Sequence, residues 1–437
     1  MRRSQASRGR AGPQTLVAYR HLFGIQPFRR LAIGDLVSSI GDGMSAVAVA
    51  WQALELAPRG SEGASVAAAV AAYTLPGVVG GFALARPLGR VGAKTLISID
   101  SWNRAVMLGT AAVLGLTGRL EVIGFVALLA VSSIVHPWGI AGRRSLVPAL
   151  VPPADRLPAN SVLLVQQHAS FVIGPAIAGA VAGVLGPATA IALDACSFVI
   201  LALLVRGIDA GSRPPSPAPR AGALRRLAAY RQIVVLLGLT WVFYMLYGPV
   251  EVALPLFVDR NLLGGATTLG LLWAAFGVGA AAGGAATPLL RRASLWRVVT
   301  AVVVGWGVAM VVLGLTERTW QAGATMLAAG VVFGPYAAIT TTAIQRAARP
   351  EDLASLNAFW ASAIVGAAPL GAALGGPLVQ VLGAAGTLVV SGLATVGLGA
   401  VALALRARGA GDIRVDDDPS DASAGITPGE PPARPGG

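Results

Sequence analysis

The sequence predicts an all-α membrane protein with twelve transmembrane helices in two pseudo-symmetric six-helix bundles. Its 437 residues have a mean hydropathy of +0.70, and only 12% of them are charged, whereas about a quarter of the residues of soluble domains are charged. Apolar runs long enough to cross a bilayer recur between residues 31 and 405. The second half of the chain also repeats part of the first.

The repeat aligns residues 153–186 with residues 350–383 without a gap. Nine of the 34 aligned positions are identical, where about three are expected by chance in a chain so rich in alanine and glycine. A shorter match around Pro87 recurs around Pro288. Both repeats run in the same chain direction, which is typical of transporters built from two parallel bundles.

The apolar runs define twelve candidate spans, six before and six after a polar segment near the middle of the chain. In chain order they are residues 31–54, 64–85, 94–117, 121–141, 159–182, 187–206, 232–256, 266–289, 296–316, 319–343, 355–381 and 384–405. Each is close to the roughly 20 residues that an α-helix needs to cross the hydrocarbon core.

The basic residues predict the orientation of these spans. Of the 33 lysines and arginines, 28 fall on one side when the loops are assigned alternately, and one more, Arg104, lies within a span. Only Arg59, Arg119, Arg260 and Arg318 fall in the opposite loops. By the positive-inside rule, we expect a multi-pass protein of the cell membrane with both termini in the cytoplasm. Since topology accounts for the charge of +13, nucleic-acid binding is not expected.

The polar segments divide the chain into five predicted parts. Residues 1–30 form a basic lead-in, 31–206 the first bundle, 207–231 a cytoplasmic linker, 232–405 the second bundle, and 406–437 a tail too polar to fold alone. We expect the lead-in to be retained, because the apolar run after it is longer than a typical signal-peptide core.

Several chemistries lack their motifs in this sequence. No phosphate-binding loop of the G-x-x-x-x-G-K-[ST] type is present, and Lys94 is the only lysine. The single cysteine, Cys196, excludes an intrachain disulfide. The three histidines, His21, His136 and His168, are too separated for a persuasive metal site. We therefore expect no enzyme activity, no cofactor and no metal.

Two stretches of the first half carry recognisable motifs. One runs from Phe28 to Asp42 and ends in the pattern S-x-x-G-D; the other runs from Arg144 to Asn160 and leads to Gly174-Pro175 and Gly179. Together they resemble the major facilitator superfamily, and within it the bacterial branch of drug, macrolide and siderophore exporters. The resemblance covers residues 28–405 and implies two bundles that rock about a central substrate site.

The loop after the second span departs from the superfamily pattern, which reads close to G-x-L-a-D-R-x-G-R-[RK]. The chain keeps Gly81, Arg86, Gly89 and Arg90 but has Ala85 in place of the aspartate. In the family, that aspartate is thought to pair with basic groups across the two bundles. We therefore expect the kept residues to gate the bundles through a weakened cytoplasmic latch.

Ionisable residues within the spans are the candidates for proton coupling, since each costs about 2.5–3.5 kcal/mol to insert. Asp42 lies near the middle of the first span, Asp35 seven residues earlier on a similar face, and Glu251 deep in the seventh span between Pro249 and Pro255. We expect these three carboxylates to load and release protons. The alternatives are a structural hydrogen bond for Asp42, a loop arginine partner for Asp35, and a cationic substrate for Glu251, which a locally broken helix would bring to the cavity.

Structural roles are alternatives for five other polar residues. Asp100 and Arg104 are four residues apart, so we expect an i,i+4 ion pair that contributes to gating. His136 and His168 are candidates for the substrate cavity or for a proton relay, with satisfied interior histidines as the alternative. For Asp194, we expect a packing role.

Aromatic residues in the spans are candidates for the substrate cavity, namely Trp138, Tyr244, Tyr247 and Trp273. Such rings would bind an apolar or cationic compound, although an aromatic belt at the membrane interface explains several of them equally well.

Gly174, Pro175 and Gly179 in the fifth span have a mechanical interpretation. Glycine permits close helix approach, and proline removes one backbone hydrogen bond, so the helix bends where the bundles pivot. Simple tight packing is the alternative.

These features predict a monomeric secondary active transporter that couples protons to the export of small amphiphilic drugs or secondary metabolites by alternating access. Its partners would be the small-molecule substrate, protons and the lipid bilayer. Two alternatives stay open: a nutrient or siderophore importer of the same fold, and a non-transporting membrane sensor.

Overall fold

The computed structural model describes residues 21–88, 90–208, 231–290, 293–347 and 353–407, and every regular element in these ranges is helical. The first half contains α1 (Gln26–Leu56), α2 (Glu62–Ala83), α3 (Ala93–Leu116), α4 (Val122–Ser133 and His136–Leu150), α5 (Arg156–Leu185) and α6 (Pro187–Arg206). The second half contains α7 (Arg231–Arg260), α8 (Ala266–Ala286), α9 (Leu295–Gly314), α10 (Thr319–Phe333 and Tyr336–Ala347), α11 (353–382) and α12 (384–407).

The helices confirm the predicted all-α membrane fold. Ten helices in the described ranges are long and apolar enough to cross a membrane. The stretch Gly366–Arg406 counts once among the ten, although the non-helical backbone of Gly383 divides it. Helix α3 is not among them; it carries Lys94, Asp100 and Arg104. The structure is therefore consistent with twelve spans.

Several helix ends differ from the prediction. Helix α1 begins at Gln26, inside the predicted lead-in. Helix α4 continues to Leu150, and a short turn separates it from α5. Pro137 occupies the first turn of the second α4 segment. Backbone N–H groups in the first turn have no acceptor within the helix, so proline, which lacks an N–H, costs no hydrogen bond there. As a consequence, Arg143 lies in a helix and not in the predicted loop.

The internal repeat has a structural counterpart at two helix ends. Gly186 lies between α5 and α6 with a φ of 86°, and Gly383 lies between α11 and α12 with a φ of 70°. The two glycines are aligned in the repeat. Both positions require left-handed backbone, which glycine adopts at no steric cost, so the same turn is made in both halves.

A second pair of aligned glycines holds each bundle together. Gly174 on α5 faces α1, where an added Cβ would lie 2.6 Å from the carbonyl carbon of Gly43. Gly371 on α11 packs in the same way against Met245 and Gly248 of α7. Both contacts lie within one bundle, so they support the packing interpretation of Gly174.

A third aligned pair joins the two bundles. Gly179 on α5 contacts α8, and an added Cβ there would lie 2.8 Å from the Cα of Gly270. Gly376 on α11 contacts α2, where an added Cβ would lie 3.2 Å from the Cα of Ala64. Close helix approach at these glycines brings the bundles together.

The bundles meet at one end of the molecule and diverge toward the other. We call the end at which α1 begins the basic end, because Arg29, Arg30 and Arg143 lie near it. Val172 of α5 packs against α8, whereas Val165, two turns nearer the basic end on the same face, is 67% exposed. The space between the bundles is therefore open at the basic end and closed at the opposite end.

Candidate functional site

A buried ion pair lies near the middle of α1. The Nη2 of Arg104 on α3 is 2.9 Å from Oδ1 of Asp42, and the two side chains are 1% and 29% exposed. Arg104 also donates to the hydroxyl of Tyr73 on α2. Its guanidinium lies over the rings of Tyr73 and Phe198, at 4.9 and 4.5 Å from their centroids. The arginine is thus held by three helices.

Asp194 on α6 is a second buried carboxylate beside this pair. It is 1% exposed, and it accepts a hydrogen bond of 2.5 Å from the hydroxyl of Ser45, one turn after Asp42 on α1. Gly41 permits this approach, since an added Cβ would collide with Asp194 and Ser197. The carboxylate therefore belongs to a polar group. We define the ionic cluster as Asp42, Arg104, Asp194, Tyr73 and Ser45.

The predicted ion pair between Asp100 and Arg104 is wrong. Arg104 pairs with Asp42, whereas Oδ2 of Asp100 lies 3.3 Å from Nδ1 of His136 on α4. The cause is tertiary packing: Gly139 lets α4 approach Asp100 so closely that an added Cβ would collide with it. His136 is therefore a half-buried, paired residue, in agreement with the structural alternative.

Asp35 pairs with an arginine nearer the basic end. Its Oδ1 is 3.3 Å from the Nε of Arg143 on α4, and both side chains are largely buried. The arginine lies in a helix, although the sequence predicted a loop. With the two pairs above, this pair forms a ladder of buried charges that connects α1, α3 and α4.

Aromatic side chains occupy the corresponding position in the second bundle. Helices α7 and α9 are the counterparts of α1 and α3, and there Tyr247 contacts the buried Trp306, with ring centroids 5.6 Å apart. Tyr247 directly precedes Gly248, which packs against α11 in the way that Gly43, directly after Asp42, packs against α5. We define the aromatic cluster by its ring contacts as Phe243, Tyr244, Tyr247, Trp273, Phe276, Trp306, Phe333 and Tyr336.

Glu251 lies one turn beyond the aromatic cluster on α7. It is half-buried and shares a side-chain hydrogen bond with Tyr247. The expected helix break around it is absent, because α7 runs unbroken from Arg231 to Arg260 with Pro249 and Pro255 inside it. Glu251 thus provides a carboxylate at the edge of a group of rings.

The predicted cavity residues lie in three places. Tyr244, Tyr247 and Trp273 belong to the aromatic cluster and are half-buried. Trp138 is tied to α2, since its Nε1 donates to the carbonyl of Gly80 at 3.2 Å. His168 is exposed one turn from Val172, on the face of α5 that borders the opening, so it is not an interior histidine.

The predicted gating residues also lie in different parts of the structure. Gly81 is half-buried near the end of α2, and Arg86 and Arg90 are exposed at the basic end. Gly89 lies outside the described residues. Gly174 is buried within the first bundle, whereas Pro175 and Gly179 both face Gly270 of α8 between the bundles.

An ion pair that the sequence did not predict lies at the end of the molecule opposite the basic end. Oε1 of Glu62, the first residue of α2, is 2.9 Å from Nη2 of Arg260, the last residue of α7. The pair joins one helix of each bundle. Arg260 was available as a signal, because it is one of few basic residues in the loops on that side.

Sequence comparison identifies the family. The profile of the transmembrane secretion effector family matches residues 21–422, which is nearly the whole chain. The chain belongs to the major facilitator superfamily. It is a transporter of that type and an integral protein of the cell membrane.

Two relatives extend the match. The transporter is 26% identical over 400 residues to the multidrug efflux pump Tap of Mycolicibacterium fortuitum, an alignment that covers 87% of this chain and 95% of that protein. It is 28% identical over 308 residues to y4rN, an MFS-type transporter of Sinorhizobium fredii, with 66% and 73% of the two chains covered.

Solved structures share the fold. The nucleoside transporter NupG superposes with a TM-score of 0.67 at 14% identity, covering 87% of this transporter and 99% of that chain. A bacterial homologue of the human lysosomal transporter Spinster, in an inward-facing and unoccupied conformation, gives 0.65 at 14% identity, covering 91% and 96%. At these identities, the likeness concerns the fold alone.

We expect Glu62→Gln to loosen the end at which the transporter's bundles meet. The Arg260 side chain is 49% exposed, and exposed ion pairs contribute about 0.2–1 kcal/mol. The variant should therefore shift the conformational equilibrium by up to about five-fold toward opening at that end. Labelling of Ala67→Cys, a buried position beside Gly376, by an impermeant maleimide in a Cys196→Ser background measures the shift.

The charge-exchanged protein, with Glu62→Arg and Arg260→Glu together, is the control. It should restore the slow labelling of the parent protein, whereas either single reversal should label faster. Equal rates in the parent, Glu62→Gln, the two single reversals and the charge-exchanged protein would show that the pair does not contribute to closure.

Proposed function

We propose that this chain is a monomeric proton-coupled exporter of small amphiphilic drugs or secondary metabolites, working by alternating access. The observation that carries the proposal is a chemical difference between the two bundles. The position of the buried Asp42–Arg104 pair in the first bundle is occupied by aromatic rings, Tyr247 among them, in the second. One bundle thus has groups suited to protons, and the other has groups suited to an apolar or cationic substrate.

The proton side rests on the pair of Asp42 and Arg104. A proton that binds Asp42 removes the negative charge that holds the guanidinium, so the buried arginine must find another acceptor. Since Asp42 is on α1 and Arg104 on α3, protonation changes the packing between helices. Asp35 and Glu251 remain proposed members of the coupling set.

The substrate side rests on the aromatic cluster and Glu251. Tyr244, Tyr247 and Trp273 are only half-buried, so they have surface available to a ligand. Rings bind the apolar part of an amphiphile, and a carboxylate favours a cationic part. The multidrug efflux pump Tap, to which the chain is similar over most of its length, supports this class of substrate.

The direction of transport follows from the orientation proposed for the chain. If the basic end faces the cytoplasm, as the positive-inside rule predicts, the structure is open to the cytoplasm and closed outside. An exporter takes its substrate from that state. The two bundles are proposed to move as units, with the domain boundaries predicted above except that α1 starts earlier.

Flux measurements test the proposal directly. In a host that lacks its own pumps, the chain should raise resistance to at least one amphiphilic compound. Inverted vesicles with an acidic lumen should then accumulate that compound. Asp42→Asn should abolish this accumulation, whereas Asp259→Asn, at an exposed acidic position, should retain it.

Two other results would favour the alternatives. Accumulation driven in the opposite direction would favour an importer. No movement of solute or proton in either orientation, with no effect of Asp42→Asn, would favour a membrane sensor.

A further inference from the structure

We propose that Asp194 holds the transported proton in this structure, and that Asp42 exchanges this proton with solvent. The inference rests on the proton coupling proposed above. It assigns the proton to a residue for which the sequence predicted only packing.

The charges of the ionic cluster do not balance when both carboxylates are ionised. Arg104 supplies one positive charge, whereas Asp42 and Asp194 together supply two negative charges. The hydroxyls of Tyr73 and Ser45, which complete the cluster, are uncharged. An uncompensated carboxylate in an apolar interior takes up a proton. The cluster is therefore neutral when it holds one proton.

The contacts place that proton on Asp194. Asp42 lies 2.9 Å from Arg104 and is the carboxylate that the guanidinium compensates. Among the residues that the structure describes, no cation forms an ion pair with Asp194 within 4.0 Å. The hydroxyl of Ser197 donates to the backbone carbonyl of Asp194 at 2.7 Å and lies 3.4 Å from Oδ1 of the same residue. With its hydrogen on the carbonyl, the Ser197 oxygen can accept a hydrogen bond from a protonated Asp194. Ser45 lies on the other side, at 2.5 Å.

Of the two carboxylates, Asp42 is the one that reaches solvent. Its side chain is 29% exposed, whereas Asp194 is 1% exposed. Ser45 follows Asp42 by three residues and contacts Asp194, so one turn of α1 connects the two carboxylates. A proton entering or leaving Asp194 therefore passes through Asp42.

The exchange is a proton transfer with a change of ion pair. The O–H bond of Asp194 breaks and an O–H bond forms on Asp42, while Arg104 moves from Asp42 to the newly ionised Asp194. Arg104 already lies over Phe198, one turn after Asp194 on α6, so a side-chain rotation is sufficient. Release of the proton from Asp42 to solvent then leaves the cluster with one net negative charge.

Infrared spectroscopy of the purified full-length protein at neutral pH tests the assignment. A protonated carboxylic acid has a C=O stretching band that shifts in heavy water. We expect Asp194→Asn to remove one component of this band. Asp42→Glu, which keeps the negative charge paired with Arg104, and Glu251→Gln should leave that component in place. Asp194→Asn should also reduce proton-driven accumulation at least ten-fold while it retains downhill exchange of substrate, because asparagine reproduces the neutral side chain.

The outcomes separate this inference from the proposed function. If Asp194→Asn leaves the band unchanged, or Asp42→Glu shifts the component, the assignment is overturned even in a protein that couples protons. If the wild-type protein carries no proton flux, the proposed function fails, and the role of the proton fails with it. Should Asp194→Asn not fold, Ser45→Ala provides the test, since loss of its hydrogen bond should shift the same component, and an unshifted band would contradict the assignment.

Discussion

Arg104→Met should abolish proton-driven transport and lower the free energy of unfolding by about 3 kcal/mol. Removing one partner of a buried ion pair costs about 3–5 kcal/mol, because the other charge is left uncompensated. The lower end applies here, since Asp42 is 29% exposed. Transport should be lost because protonation of Asp42 would no longer release a cation. Thermal unfolding in detergent and flux into inverted vesicles measure the two effects.

Three variants separate the role of the charge from that of the fold. Arg104→Lys keeps the charge but loses the planar contact with two rings, so it should be intermediate in both measurements. Arg104→Met combined with Asp42→Asn should recover stability without recovering transport. Arg119→Met changes an exposed arginine and should match the parent protein. Normal transport by Arg104→Met would exclude the cluster from the mechanism.

The sequence predicted the fold well because the relevant signals are local and repeated. Hydropathy over about 20 residues reports a span directly, since lipid requires each span to satisfy its own backbone hydrogen bonds. The repeat also indicated individual residues with a structural role. Gly174, Gly179 and Gly186 were kept in the second half, and the structure gives each a packing or backbone reason that applies in both halves.

The candidate site was only partly predictable, because its contacts join helices that are distant in sequence. Asp42 stood out as a carboxylate in the middle of a span, but its partner Arg104 lies two helices later. The spacing of Asp100 and Arg104 suggested a local pair. Neighbouring helices draw these two side chains apart, since α4 approaches Asp100 at Gly139. Helical spacing alone carries no information on which neighbour each face meets.

The aromatic cluster was also only partly predictable from the sequence. Its rings come from α7, α8, α9 and α10, and only three of them were predicted as cavity residues. The main repeated segment of the sequence lies outside α1 and α7, so the equivalence of Asp42 and Tyr247 follows from the contacts of Gly43 and Gly248 in the structure. A duplicated scaffold can therefore locate a site in one half from the chemistry of the other.

Gly179→Val should shift the conformational equilibrium strongly and reduce transport at least ten-fold without unfolding the protein. An added Cβ would lie 2.8 Å from the Cα of Gly270 and 2.9 Å from the carbonyl oxygen of Ala266, so α5 and α8 must separate. Overpacking of this kind costs about 1–3 kcal/mol, which is about 5- to 150-fold in an equilibrium. Only the state in which the bundles meet at this end bears that cost.

Gly174→Val is the matched comparison, because it introduces the same side chain five residues, less than two helical turns, from the first site. Its Cβ would lie 2.6 Å from the carbonyl carbon of Gly43, within one bundle. That contact should persist in every state of the cycle, so this variant should lower the unfolding temperature and leave the equilibrium between states unchanged. Gly124→Val, where nothing lies within 4 Å of an added Cβ, should change neither.

Maleimide labelling at both ends distinguishes the two mechanisms. In a Cys196→Ser background, Gly179→Val should speed labelling of Ala67→Cys at the end where the bundles meet and slow labelling of His168→Cys beside the opening. A fall in unfolding temperature as large as that of Gly174→Val, with no change in either labelling rate, would contradict a state-specific contact. Gly179 would then contribute only to packing. Gly179 and Gly376 would no longer mark surfaces that separate during transport, so the pivot between the bundles would have to lie elsewhere.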